Sequence, residues 1–149
     1  MVSFITGMAL SSYGDEMDEC YFIQLLCSFF MCGLIWVIQM VHYPAFNFVN
    51  EDHFTSFENF HTTRITLIVV PVMLIELVSA CILALIDMNV VSLTNLFLLV
   101  LIWLVTFTCS VPCHTGLRKS KSTKLIKKLI ATNWLRTFLW TTKSVLLVF

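Results

Sequence analysis

The sequence predicts an all-α fold, an integral membrane four-helix bundle with both termini on the non-cytoplasmic side. Three observations predict it. The chain is 58% hydrophobic and 12% charged over 149 residues, with a mean hydropathy of +0.89, which is far more apolar than a soluble domain of this size requires. A span needs roughly 20 apolar residues to cross a hydrocarbon core, and four segments, 20–41, 65–86, 93–111 and 129–149, qualify. The net charge of zero also hides an asymmetry that sets orientation.

Each span follows from the constraint that backbone amides in lipid must be bonded within their own segment, which leaves helices as the economical solution. The spans take up more than half of the chain, so 1–149 is expected to be a single transmembrane domain. Asp15, Glu16, Asp18 and Glu19 precede the first span with no Lys or Arg before them, whereas Arg118, Lys119, Lys121, Lys124, Lys127 and Lys128 crowd the connection 114–128. The positive-inside rule makes that basic connection cytoplasmic. The first connection, 42–64, then also lies inside, and the turn 87–92 lies outside. Six cysteines occur without a CxxC pair, mostly inside spans, and are read as core thiols. The first ten residues lack a basic leader, so no cleaved signal peptide is expected. No internal repeat, low-complexity tract or glycosylation sequon is found.

Polar residues inside the spans are not scattered. An ionisable group costs about 2.5 to 3.5 kcal/mol to insert, so each asks for a partner or a role. In the fourth span Asn133, Arg136, Trp140 and Lys143 share one helical stripe, flanked by Thr137 and Ser144. The third repeats the pattern with Trp103, Thr106, Ser110 and His114, and the first with Cys32, Trp36, Gln39 and Tyr43, with His42 beside them. On the second, His61 and Arg64 share a face and Glu76 lies deeper. Apolar surfaces face lipid at no cost, so the polar stripes are expected to turn inward.

Topology brings the ends bearing His42, His61, Arg64, His114, Asn133 and Arg136 to one membrane face, the cytoplasmic one, while His53 belongs to the first connection. Glu76 and Lys143 both fall roughly 15 to 18 Å deep at 1.5 Å per residue and are expected to pair. Such a pair either fixes helix register or carries a proton or ion. Pro71 is expected to kink the second span. Pro44 and Pro112 are expected to break helices beside His42 and His114.

Three function classes fit these residues. The first is an oxidoreductase-like enzyme or binding site for a small hydrophobic, partly anionic molecule. His42, His61 and His114 would move protons there, and Arg64 and Arg136, with Asn133, would hold a developing oxyanion, between walls of Trp134, Trp140 and Tyr43. The second is a metal or haem centre on His42, His61 and His114, disfavoured by the neighbouring arginines and by the lack of HxxxH spacing. The third is a structural or transport subunit, or a homo-oligomer, whose basic connection meets anionic lipid. The lipid bilayer is the expected partner in each case, nucleic acid is not, and the cofactor is left open.

The strings VHYPAF, FENFHTTRITLIVVPVMLIEL, VPCHTGL and NWLRTFLWTTKSVL resemble a family of small, uncharacterised four-helix bacterial membrane proteins, from about Trp36 to Leu147. The resemblance implies the same fold and topology in a bacterial inner membrane. NWLRT and the histidine-bearing helix ends are also similar to anthrone-oxygenase-like membrane proteins, which oxidise polycyclic phenols without a bound metal. That similarity extends to Asn133, Arg136 and His42, and implies a substrate reacting through its enolate.

Overall fold

The computed structural model describes the backbone of residues 2–149 and the side chains of residues 17–149. It is all-α, with four helices and no strand among the described residues. Helix α1 is Val2–Val37 and continues through a π-helical turn, Ile38–His42, into Tyr43–Ala45. Helix α2 is Glu51–Ile86. Helix α3 is Val90–Val105, joined by a second π-helical turn, Thr106–Ser110, to Val111–Leu117. Helix α4 is Thr123–Leu146.

Polar caps set the tight connections. The Asn89 side chain accepts from the Ser92 amide at 2.8 Å, which starts α3 after a three-residue connection from α2. Ser122 accepts from the Leu125 amide at 3.4 Å and starts α4. Lys121 seals the end of the first helical run by donating to the Val49 carbonyl at 2.6 Å and the Asn47 carbonyl at 3.2 Å. Such contacts satisfy the orphan carbonyls of a helix end.

The helices pack in cyclic order, α1 on α2, α2 on α3, α3 on α4 and α4 on α1. The faces are inverted relative to a soluble protein. Gln24, Ser28, Glu76, Asn95, Asn133, Thr137 and Lys143 are completely buried. Phe22, Leu26, Leu67, Val78, Phe97, Leu104 and Phe138 stand exposed. That apolar exterior suits lipid, because leucine-like surface loses nothing by facing it. Three helical runs, 17–48, 51–86 and 90–117, are long and apolar enough to cross a membrane.

Several expectations are corrected. The connection 42–64 is almost wholly helical; only Val49 and Asn50 separate the two runs, and His53 lies exposed on α2. Phe54, Glu58 and His61, spaced four and three apart, form a buried face there, and the polar residues between them hide it from a hydropathy count. The connection 114–128 shrinks to 118–122, because α3 continues to Leu117 and α4 begins at Thr123. Helix α4, which carries the expected fourth span 129–149, is less apolar than those three runs, since Asn133, Arg136 and Lys143 lie within the span and Lys124, Lys127 and Lys128 precede it. Of the cysteines, all free, only Cys113 is buried and Cys81 is exposed.

Pro44 and Pro112 break nothing. Each follows a π-helical turn by two residues. A proline ring clashes with the carbonyl four residues back and donates no hydrogen bond, and the wider turn gives that carbonyl room. The extra residue rotates the following side chains by about 100°, so each bulge re-aims the residues at the polar end of its helix. Helix α2 passes through Pro71 without interruption.

Candidate functional site

Two polar assemblies occupy the bundle interior. The deeper one is closed. Lys143 Nζ lies 2.8 Å from Glu76 Oε1 and donates to Ser28 Oγ at 2.5 Å. Ser28 donates to the same carboxylate oxygen at 3.0 Å, and Trp140 Nε1 donates to the other at 3.3 Å. The Gln24 amide takes the orientation that satisfies it completely. Its nitrogen donates to Ser79 Oγ at 2.6 Å and the Glu76 carbonyl at 2.9 Å, and its oxygen accepts from Lys143 at 2.7 Å and Asn95 at 3.1 Å. All four helices contribute, and the expected pairing of Glu76 with Lys143 is what the geometry shows.

The second assembly sits towards the polar ends of the helices. His42 Nε2 and His61 Nδ1 are 2.7 Å apart, and the His61 and His114 rings lie 5.6 Å apart between centroids. His114 Nδ1 is 2.6 Å from Glu58 Oε1, and its Nε2 is 3.1 Å from the Tyr43 hydroxyl. Deeper in, Arg136 donates to Asn133 Oδ1 at 3.2 Å and Ser110 Oγ at 3.4 Å, with its guanidinium 5.1 Å from the Trp140 ring centre. Asn133 in turn donates to Gln39 Oε1 at 2.9 Å. The two π-helical turns supply Gln39, His42 and Ser110 to this region.

The three histidines therefore meet, and Asn133 and Arg136 lie together beneath them. Arg64 does not join them: it is exposed, with its guanidinium 5.6 Å from the Phe60 ring. It sits three residues beyond His61, about 60° around the helix, which is enough to leave the buried face. Among the expected walls, Tyr43 serves. Trp134 packs edge-on against Trp36 at 5.7 Å, and Trp140 is sealed in the core.

Glu58 is the functional candidate that sequence reasoning missed. It is fully buried and holds His114. The signal was the spacing of Phe54, Glu58 and His61, within a segment taken for a loop. Trp103 also belongs here. With Tyr43, His114, Ser110 and Arg136 it lines a crevice of 390 Å³ between α2 and α3 whose other walls are mainly aliphatic. That is within the ordinary range for a small-molecule site.

Satisfaction of hydrogen bonds separates the two assemblies. Among the described residues, the buried side-chain atoms without a partner are Glu58 Oε2, His61 Nε2, Trp103 Nε1 and Arg136 Nε. All four belong to the histidine end and its crevice, and none to the closed network below. An unpaired buried polar group costs about 1 to 3 kcal/mol, more if charged, so their clustering demands an explanation. No group of three or more His, Cys, Asp or Glu among the described residues is arranged to hold a metal ion. The facing imidazole nitrogens are instead engaged with each other, with Tyr43 and with Glu58. No family model, curated protein or solved structure matches the chain.

Proposed function

We propose that the chain binds a small hydrophobic molecule carrying a carbonyl or anionic oxygen, seated in the α2–α3 crevice with that oxygen at Arg136 and Trp103. The observation that carries this reading is the pair of buried donors without acceptors, Arg136 Nε and Trp103 Nε1, both belonging to side chains that line one mainly apolar cavity. A site built to hydrogen-bond a ligand leaves donors unpaired until the ligand arrives. Unpaired donors on side chains that line a mainly apolar cavity favour an acceptor on an apolar body.

A second reading, proton-transferring catalysis, is favoured by the chain Glu58, His114, Tyr43 on the same wall. Glu58 fixes one nitrogen of His114, and the other faces the Tyr43 hydroxyl. A ligand oxygen beside Tyr43 would exchange its proton through that hydroxyl, with His114 as the reservoir. His42 and His61 form a separate pair beside it, with His61 Nε2 unbonded. In this reading 1–149 forms one transmembrane domain. Helix α4 is a fourth crossing, because its charges Arg136 and Lys143 point inward while Leu135, Phe138 and Val145 face out. The basic residues at 118–128 support an orientation with the histidine end on the cytoplasmic side of the membrane, a bacterial inner membrane in this reading, and both termini on the other.

The test compares a long-chain naphthoquinone with the matching alkylnaphthalene, equal in shape but lacking acceptors. Ligand that binds only the folded state raises its stability by mass action. The quinone is expected to raise the melting temperature of the purified protein in a saturable way and the hydrocarbon is not. Equal shifts from both would remove the acceptor-binding role.

A further inference from the structure

The crevice has a buried floor and an exposed rim. Its floor includes Met73, Ser110 and Arg136, which are buried, whereas Thr66, Val70, Phe107 and Val111 at its edge are exposed. It therefore opens through the side of the bundle, between α2 and α3. The residues around that opening are part of the apolar exterior: Leu67 and Leu74 on α2, Val100 and Leu104 on α3.

Towards the polar end the two helices are tied together. His114 bonds Glu58, and Arg118 Nε donates to Thr62 Oγ1 at 3.0 Å. These are the side-chain hydrogen bonds that join α2 to α3 and its C-cap among the described residues; His114 also lines the polar end of the crevice, but neither bond involves the rim residues Thr66, Val70, Phe107 or Val111. A second hollow of 250 Å³ sits at the tied end, lined by Thr62, Thr115 and Arg118 and sharing Thr66 and His114 with the crevice. It offers the aqueous alternative, with the Arg118–Thr62 bond beside it.

We infer that the ligand is a membrane-dissolved amphiphile that enters sideways from the hydrocarbon through the α2–α3 opening, keeping its apolar tail in the bilayer while its oxygen reaches Arg136 and Trp103. The inference rests on the binding reading above and adds the ligand's class and its route. A ligand coming from water would have to pass the tied end, whereas one dissolved in acyl chains meets an apolar rim with no bond to break. The walls favour the same class, since the crevice offers few polar groups apart from those at its inner end.

Photolabelling in phosphatidylcholine vesicles tests it. The probes are para-dodecylbenzophenone, a ketone retained in the bilayer, and para-carboxybenzophenone, its water-soluble counterpart. Both carry the acceptor and both attach to neighbouring C–H bonds on irradiation. The bilayer-retained ketone is expected to label peptides containing Met73 and Phe107 at least tenfold more than the soluble one. Val70→Trp, which narrows the rim on a lipid-facing position, is expected to reduce that labelling about tenfold. Labelling dominated by the soluble ketone, or unaffected by Val70→Trp, overturns side entry. If labelling by the soluble ketone still falls in Arg136→Met, the binding reading survives without the route. If neither probe responds to Arg136→Met, the binding reading itself fails and side entry falls with it.

Discussion

Lys143→Met is expected to cost about 3 to 5 kcal/mol of stability, and the double variant Lys143→Met with Glu76→Leu to recover most of it. Lys143 and Glu76 are both completely buried at 2.8 Å, and Ser28, Gln24 and Trp140 complete their hydrogen bonds. Removing the ammonium alone strands a carboxylate between Ser28 and Trp140 in a low-dielectric interior. Removing both charges leaves Gln24 bonded to Asn95 and Ser79. The measurement is denaturant or thermal unfolding in detergent for the two single variants and the double. Recovery in the double identifies the pair as a device that fixes how α2 and α4 face each other. A double variant no better than the singles would show that the charges are needed for more than register, as an ion or proton relay requires.

Arg136→Met is expected to have the opposite signature. It should lower affinity for an acceptor-bearing ligand ten- to a hundredfold, since a hydrogen bond to a charged donor is worth about 1.5 to 3 kcal/mol. It should leave the bundle as stable as before, or more so. Arg136 is buried, its guanidinium bonds the neutral groups Asn133 and Ser110 and lies over the Trp140 ring, and its Nε has no partner. Burying an incompletely paired charge is costly, and methionine fills similar space without that cost. Asn133 keeps its bond to Gln39. Titrating the naphthoquinone into wild type and variant gives the affinity, and unfolding of the free proteins gives the stability. A variant that fails to fold while binding is otherwise unchanged per folded molecule would make Arg136 a structural residue. The contrast between the two cations is the physical content of the site. Lys143 is saturated with partners and Arg136 is left short of them, and the shortfall lies where a cavity is.

The helical stripes were legible because lipid enforces them. Asn133, Arg136 and Lys143 had no stable place except the interior, and Glu76 had one partner at its depth. Convergence of His42, His61 and His114 followed from topology alone. Glu58 was not legible, because a carboxylate between Phe57 and Asn59 resembles solvated helix or loop until the face of Phe54 and His61 is known to be buried. Arg64 misled for a related reason. Three residues from His61 places it near the buried face, and a difference of some 60° decides on which side of the boundary it falls. The prolines announced irregularity at Pro44 and Pro112, but whether a helix answers a proline by breaking or by widening depends on its neighbours. Here α2 and α4 hold the segments in line, and the chain takes a π-helical turn. Pi-helical turns inside α-helices frequently mark functional sites, and both of these border the region where the unsatisfied polar atoms of the described residues cluster. The crevice itself depends on the separation of α2 and α3, which no single stripe encodes.

In the proposed binding mode Arg136 and Trp103 receive a ligand oxygen in a crevice open to the bilayer. A structure of the protein in lipid nanodiscs with para-dodecylbenzophenone tests it most directly. The expected result is the ketone between α2 and α3, its oxygen about 3 Å from Arg136 Nε or Trp103 Nε1, and its dodecyl chain leaving past Val70 and Phe107. A crevice closed by its own side chains, with both donors bonded to protein groups and no ketone inside, would contradict it.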